Sequence, residues 1–282
     1  MESTRAILVA WSVAMSLAIL PSHGEDTVVV TFDNGPEGWS INGWDTIDPD
    51  NGNPGANINI DIIDAFGIEV RNSGPNENFI GDYFQKNVRR LGIDVEVNWI
   101  LFGGIQVPRD FVVELRDYDN PPQGYQWVSV YLNTGPLPAA GSGWESIRFD
   151  VPLQEELPPG WGGTGAEDPR TFMPILPPDR TYGSVLQGVD AVVFTTFVPG
   201  YVFGFTDYNV RVDNISITTA DAQPCNGDLT GDGSVGGDDL AILLAAWGPC
   251  PPKQPCPADL NGDKVIDGAD IAVLLSEWGP CT

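Results

Sequence analysis

One stretch of this 282-residue chain occurs twice. Tandem duplication constrains a fold strongly, because two copies of one small unit must bury their apolar faces against each other. The first copy reads Cys225-Asn-Gly-Asp-Leu-Thr-Gly-Asp-Gly-Ser-Val-Gly-Gly-Asp-Asp-Leu-Ala-Ile-Leu-Leu-Ala-Ala-Trp-Gly-Pro-Cys250. The second reads Cys256-Pro-Ala-Asp-Leu-Asn-Gly-Asp-Lys-Val-Ile-Asp-Gly-Ala-Asp-Ile-Ala-Val-Leu-Leu-Ser-Glu-Trp-Gly-Pro-Cys281. The cysteines, three aspartates, Leu-Leu and Trp-Gly-Pro align without a gap.

Each copy opens with oxygen donors at alternate positions of a twelve-residue loop. In the first they are Asp228, Thr230, Asp232, the Ser234 carbonyl and Asp239; in the second, Asp259, Asn261, Asp263, the Val265 carbonyl, Asp267 and Asp270. A hard cation that takes six to eight oxygens suits this spacing, so the expectation is one calcium ion per loop. Gly233 stands where such a loop turns sharply, and Lys264 replaces it in the second copy. Lys264 is therefore expected in a left-handed conformation at a cost of about 1 kcal/mol. The fuller ligand set of the second loop predicts the tighter site. Leu240, Leu243, Leu244 and Trp247, with Ile271, Leu274, Leu275 and Trp278, fall at helical spacing, and Gly-Pro ends each pattern.

Two loop-plus-helix halves of this form resemble a type I dockerin, a small all-α extracellular docking module. The resemblance covers 225–282 and implies a protein partner. Cellulosomal dockerins usually carry a Lys-Arg pair late in the helix, where this chain has Leu244-Ala245 and Leu275-Ser276. With nine acids against two bases in this segment, an acidic cohesin of the familiar type is not the expected partner. The chain's four cysteines allow three pairings. Antiparallel pseudo-twofold helices bring each helix end to the other loop's entry, which favours Cys225–Cys281 and Cys250–Cys256; a structural zinc on four thiolates is the alternative.

At the other end, Arg5 precedes an apolar run from Ala6 to Leu20, broken by Pro21 and followed by Ser22 and Gly24. This is the pattern of a secretory signal spanning 1–24, whose apolar run from Ala6 to Leu20 is too short to cross a bilayer. The expected protein is therefore extracellular or at the cell surface, with no membrane span and with disulfides permitted. The one histidine, His23, lies in that leader, which excludes Ser-His-Asp and Cys-His catalysis and His-ligated metals. A net charge of −26 repels nucleic acid and anionic membranes.

Residues 25–220, joined to the module by a linker at 221–224, read as short strands between Gly/Pro/Asn turns. Leu91, Ile93, Val95, Val97 and Trp99 alternate onto one face, and further strands are expected at 111–115, 127–132, 144–151, 189–194 and 210–217. The expectation is a mainly β protein: an antiparallel jelly-roll β-sandwich followed by the small module. The phrases Thr31-Phe-Asp-Asn-Gly-Pro-Glu-Gly-Trp39, Asn78-Phe-Ile-Gly-Asp-Tyr83 and Val212-Asp-Asn-Ile-Ser-Ile217 resemble the laminin IV (laminin B) domain and galactose-binding-like carbohydrate-binding modules. In that fold the first and last strands are neighbours, so Asp33 and Asp213 either share a further calcium or hydrogen-bond turn backbone. A bulge is expected at Asp213-Asn214.

Trp39, Trp44, Trp127, Trp144 and Trp161 are candidates to stack on a sugar, with Trp161 the one expected on an exposed loop; the others are expected in the core. The functional expectation is a secreted, non-catalytic, calcium-binding protein whose sandwich takes a glycan or matrix ligand and whose module docks an unidentified extracellular protein or polysaccharide. The alternative is a polysaccharide-degrading enzyme or its carbohydrate-binding accessory. Its carboxylates would come from a set such as Glu145, Glu155, Glu156 and Glu167, among which no pair stands out.

Overall fold

The computed structural model describes residues 25–41, 46–220, 225–251 and 255–281. The expected leader, the linker and Trp44 lie outside them. In chain order the body carries β1 (Glu25–Val30), β2 (Trp39–Ile41), β3 (Ile47–Gly52), β4 (Gly55–Ala65), β5 (Glu69–Asn72) and β6 (Val88–Phe102). Then come β7 (Ile105–Gln106), β8 (Asp110–Asp117), β9 (Val128–Pro136), β10 (Glu145–Asp150), β11 (Trp161–Thr164), β12 (Ala166–Glu167) and β13 (Pro174–Ile175). Helix α1 (Tyr182–Leu186), β14 (Ala191–Thr195) and β15 (Thr206–Ala220) complete it.

These strands form two antiparallel sheets. One has the order β10-β6-β15-β4-β3, with β1 also on β15 and β7 on β6; the other has the order β11-β9-β8-β14-β5-β2. Alternation explains the shared core. Leu91, Ile93, Val95 and Val97 of β6 and Ile58 and Ile60 of β4 bury against Phe111, Val113 and Leu115 of β8 and Phe194 of β14. Trp39 stacks on Phe194 with ring centroids 5.7 Å apart and meets Phe79 edge-on at 5.1 Å. It is a core residue.

Two of the three register shifts between β6 and β15 bear on the expected pattern. Asn209 pairs with Trp99 but Val210 pairs with Val97, so Asn98 is an extra residue that flips the parity of β6. Ile100 enters the core in place of the expected Trp99. In β15 the register shifts between Asp213 and Ser216, with Asn214 at φ 47°. Tyr208, Val210 and Val212 face the core before it, and Ile215 and Ile217 after it.

The duplicated segment has its own hydrophobic cluster: Val235, Leu243, Ala258, Ile266 and Leu274, ringed by the four cysteines and Leu240 and Ile271. It is not all-α. Helices α2 (Gly237–Ala245) and α3 (Gly268–Ser276) span nine residues each. Each is flanked by two short strands, α2 by β16 (Ser234–Val235) and β17 (Gly248–Pro249), α3 by β18 (Val265–Ile266) and β19 (Gly279–Pro280). β16 pairs with β19 and β17 with β18, so the Gly-Pro that ends each helix continues into a ladder with the other repeat's loop. That crossing puts Cys225 beside Cys281 and Cys250 beside Cys256, with Cα separations of 5.6 and 5.8 Å, and both pairs are disulfides. The expected apolar stripe is only half buried. Leu244, Trp247, Leu275 and Trp278 stand about half exposed, because nine-residue helices end before the tryptophans and Leu244 and Leu275 turn away from the facing helix.

Candidate functional site

The loops of the two repeats have matching interiors. Asp228 accepts from the N–H groups of Gly231, Asp232 and Gly233 at 2.7, 3.2 and 3.0 Å. Asp259 accepts from Gly262, Asp263 and Lys264 at 2.9, 3.1 and 2.9 Å. Lys264 takes φ 74° and Gly233 φ 88°, so the lysine adopts the turn that its loop position requires. The twelfth-position carboxylates are buried. Asp239 bridges the N–H groups of Thr230 and Gly236, and Asp270 those of Leu260, Asn261 and Asp267. Against the desolvation that would raise them, these donors hold both carboxyls below the usual range. Asp267 caps α3 by accepting from Ala269 N–H at 2.8 Å. The donor set of each loop is oxygen alone, which fits calcium. The loop carboxylates do not converge: among the described residues, the set of three acidic or sulfur ligand atoms within 4.8 Å is Cys250, Cys256 and Asp259. Its two sulfurs are bonded to each other.

In the sandwich, the β3–β4 turn gathers three carboxylates. Asp33 accepts from Ala56 N–H at 3.0 Å, and Asp213 from the N–H groups of Asn53 and Asn214. Asp94, absent from the sequence-based candidates, accepts from the amides of Asn53 and Asn214 and from Ser146 and Arg148. A Cβ on Gly55, at φ 92°, would lie 2.4 Å from the Asp33 carboxylate. Asp33 and Asp213 both hydrogen-bond turn backbone.

Asp213 is fully buried, and desolvation, with Asp94 and Asp33 nearby, pushes its pKa up to about 6 despite the two N–H groups. An acid whose folded pKa is raised stabilises the fold fully below its unfolded pKa and loses that contribution as pH rises through the folded value. Between about pH 4 and pH 7 the loss should reach roughly 2–3 kcal/mol. Urea midpoints across that range should show this slope in the parent and a flatter one in Asp213→Asn. Parallel slopes would remove Asp213 as the cause.

A third feature lies on the outer side of the second sheet. The start of β8, the middle of β9, β11 and the 196–203 loop enclose a groove of about 960 Å³. Its apolar wall includes Phe66, Phe197, Tyr201 and Phe203, with Tyr201 63% exposed. Its polar groups are Asp110, Asn133, Tyr131 and Arg109. Asn133 donates to Asp110 at 3.0 Å. Tyr131 lies flat on β11, where a Cβ at Gly162 would come within 2.3 Å of its ring, so glycine permits the contact. Trp161 flanks the groove but is buried, edge-on to Tyr182 at 5.2 Å. It is not the exposed platform expected, because β11 pairs with β9 and turns the indole inward.

Beside the groove the same face carries a buried ionic network. Arg116 donates to Glu114 at 2.7 Å and to Glu69 at 2.9 Å. Its guanidinium lies 4.1 Å over the Trp127 ring. Glu114 also accepts from Trp127 at 3.1 Å and from Ser129 at 2.6 Å. Despite desolvation, Glu114 and Glu69 hold the Arg116 pKa above its usual value. Trp144 is half-buried just before β10, and Glu145, Glu156 and Glu167 are exposed on separate segments. Glu155 accepts from the Thr181 hydroxyl at the start of α1. No sequence pattern flagged the groove; the one trace of it is the run Phe197-Val-Pro-Gly-Tyr-Val-Phe203.

No family model matches the chain, and no curated protein matches it. Among solved structures it is similar to a family 11 carbohydrate-binding module from Clostridium thermocellum in complex with a mixed-linked tetrasaccharide, at 13% identity over 71% of this chain and 91% of that one, TM-score 0.33. It is also similar to a carbohydrate esterase from the Shiga toxin-encoding bacteriophage phi24B, at 12% identity over 70% of this chain and 99% of that one, TM-score 0.36. An exo-β-agarase matches at 14% identity over 83% of this chain and 32% of its own, TM-score 0.36. Among the described residues no helix is long and apolar enough to cross a membrane.

Proposed function

We propose that this is a secreted, non-catalytic, extracellular glycan-binding protein, with a laminin-IV-like or galactose-binding-like sandwich as its binding unit. The groove carries this reading. Sugars present flat C–H faces to rings and hydroxyls to amides and carboxylates, and the groove offers both, in the size range of ligand pockets. The duplicated segment is read as a dockerin-type interaction module that binds two calcium ions through the loop oxygens named above. Calcium there would neutralise the clustered aspartates and fix the loops, while the half-exposed Leu244, Trp247, Leu275 and Trp278 are available to a protein partner. The two disulfides suit an oxidising compartment. Catalysis is disfavoured because Asp110 is the one carboxylate lining the groove among the described residues, and glycoside hydrolysis requires two.

The test is affinity electrophoresis of the whole protein against a panel of polysaccharides, followed by calorimetry on those that retard it. Tyr201→Ala should weaken binding by about threefold to tenfold, and Asp110→Ala by about tenfold or more, both with unchanged melting temperature. Binding indifferent to both substitutions would rule the groove out as the site.

A further inference from the structure

The groove contains a buried arginine with no carboxylate within 4.0 Å among the described residues. Arg109 is only 5% exposed. Its flat face lies 4.1 Å from the Phe203 ring centroid and 5.7 Å from that of Tyr208. Its edge donates to the Thr206 hydroxyl at 3.2 Å and to the Phe66 carbonyl at 2.8 Å. All four neighbours are uncharged. Arg71, Arg90, Arg116, Arg148, Arg180 and Arg211 each have a carboxylate within 4.0 Å; among the described residues Arg89, Arg109 and Arg170 have none, and of these Arg109 is the buried one. In a chain with 39 acids and 13 bases, an arginine buried without an acid stands out. A buried charge is costly unless paired. The adjacent carboxylate does not serve, since Asp110 takes its hydrogen bond from Asn133 instead.

We propose that the glycan taken by this groove bears an anionic group, a uronic-acid carboxylate or a sulfate ester, that pairs with Arg109. The guanidinium offers five N–H donors in a plane, and the two contacts above leave others for an oxyanion. Desolvation pulls the Arg109 pKa down, only partly opposed by Tyr208, Tyr201 and Asp110; an anion seated against it would supply the missing opposite charge. The net charge of −26 opposes an acidic polymer at long range. At physiological ionic strength that repulsion is screened beyond about 8 Å, so the contact inside the groove decides. This inference rests on the groove being the glycan site.

The experiment is calorimetry on the whole protein at about 0.15 M ionic strength with two matched pairs of polymers. One pair is polygalacturonate and its carboxyl-reduced form; the other is a sulfated galactan and its desulfated form. At least one charged polymer should bind about tenfold or more tightly than its neutral partner, and which one does so identifies the anion. Arg109→Gln should erase that preference, and Arg109→Lys should retain part of it. The polymer comparison on the parent protein needs no variant, so a misfolded Arg109→Gln does not blunt the test. Neutral polymers binding as tightly as charged ones, with Tyr201→Ala weakening both, would overturn the anionic ligand and leave the groove intact. Absence of binding to all four, or binding indifferent to Tyr201→Ala, would overturn the groove reading and this inference with it.

Discussion

Excess EDTA should strip the helical circular dichroism from the reduced segment 225–282. Among the described residues its fully buried apolar side chains are five, few even for a segment of this size. Its helices span nine residues each, below the length at which an isolated helix persists in water. The four short strands make ladders of two residues apiece. Against these small gains stand eight aspartates that repel one another when no cation is present. Metal binding in such a case supplies folding free energy directly. The disulfides act separately: closing the 56-residue separation between Cys225 and Cys281 removes unfolded-state entropy equivalent to about 4 kcal/mol. Oxidised protein should therefore keep part of its signal in EDTA, and reduced protein should lose it and regain it with calcium but poorly with magnesium, which demands stricter octahedral geometry. A reduced segment whose spectrum ignores EDTA would mean that the loops do not organise it.

Legibility followed the reach of each interaction. The β6 and β8 strands were readable because alternation is a local signal, and the Lys264 conformation because a loop position dictates φ whatever the residue. The bulge at Asp213-Asn214 could be placed because the parity of the apolar residues breaks there. The bulge at Asn98 left no such trace: Leu91 to Trp99 alternates without a break, yet the pairing with β15 inserts one residue. Leu244 and Trp247 misled because helical spacing says which residues share a face but not whether a partner covers it. The groove was invisible for a related reason. Phe66, Arg109, Tyr131 and Tyr201 are far apart in sequence and converge only through strand order β9-β8-β14. Asp94 escaped notice because it sits between Ile93 and Val95 in an apolar strand, where nothing marks a buried carboxylate until its partners are known.

Glu114→Ala should cost about 3–5 kcal/mol of stability, because it leaves Arg116 buried without its closest counter-charge. The Glu114 side chain is 7% exposed and that of Arg116 6%. Removing the carboxylate also strands the Trp127 N–H and the Ser129 hydroxyl. Glu69 remains, 2.9 Å from a guanidinium nitrogen, but the closer contact is lost. The cost belongs to the orphaned charge rather than to the pair, so Glu114→Met with Arg116→Leu should recover much of it. Urea unfolding of the parent, the single variant and the double variant separates these cases. The measurement also bears on function. Glu114 lies beside the groove and is an ionisable group that an enzyme reading would recruit, yet its oxygens are taken by four donors, two nitrogens of Arg116, the Trp127 N–H and the Ser129 hydroxyl. A carboxylate so held is a brace between β8 and β9, and its loss should unfold the sheet before it changes any chemistry. If Glu114→Ala left the midpoint where it was, the brace would not be needed and Glu114 would be free to act on a ligand. The non-catalytic reading would then lose its main support on this face.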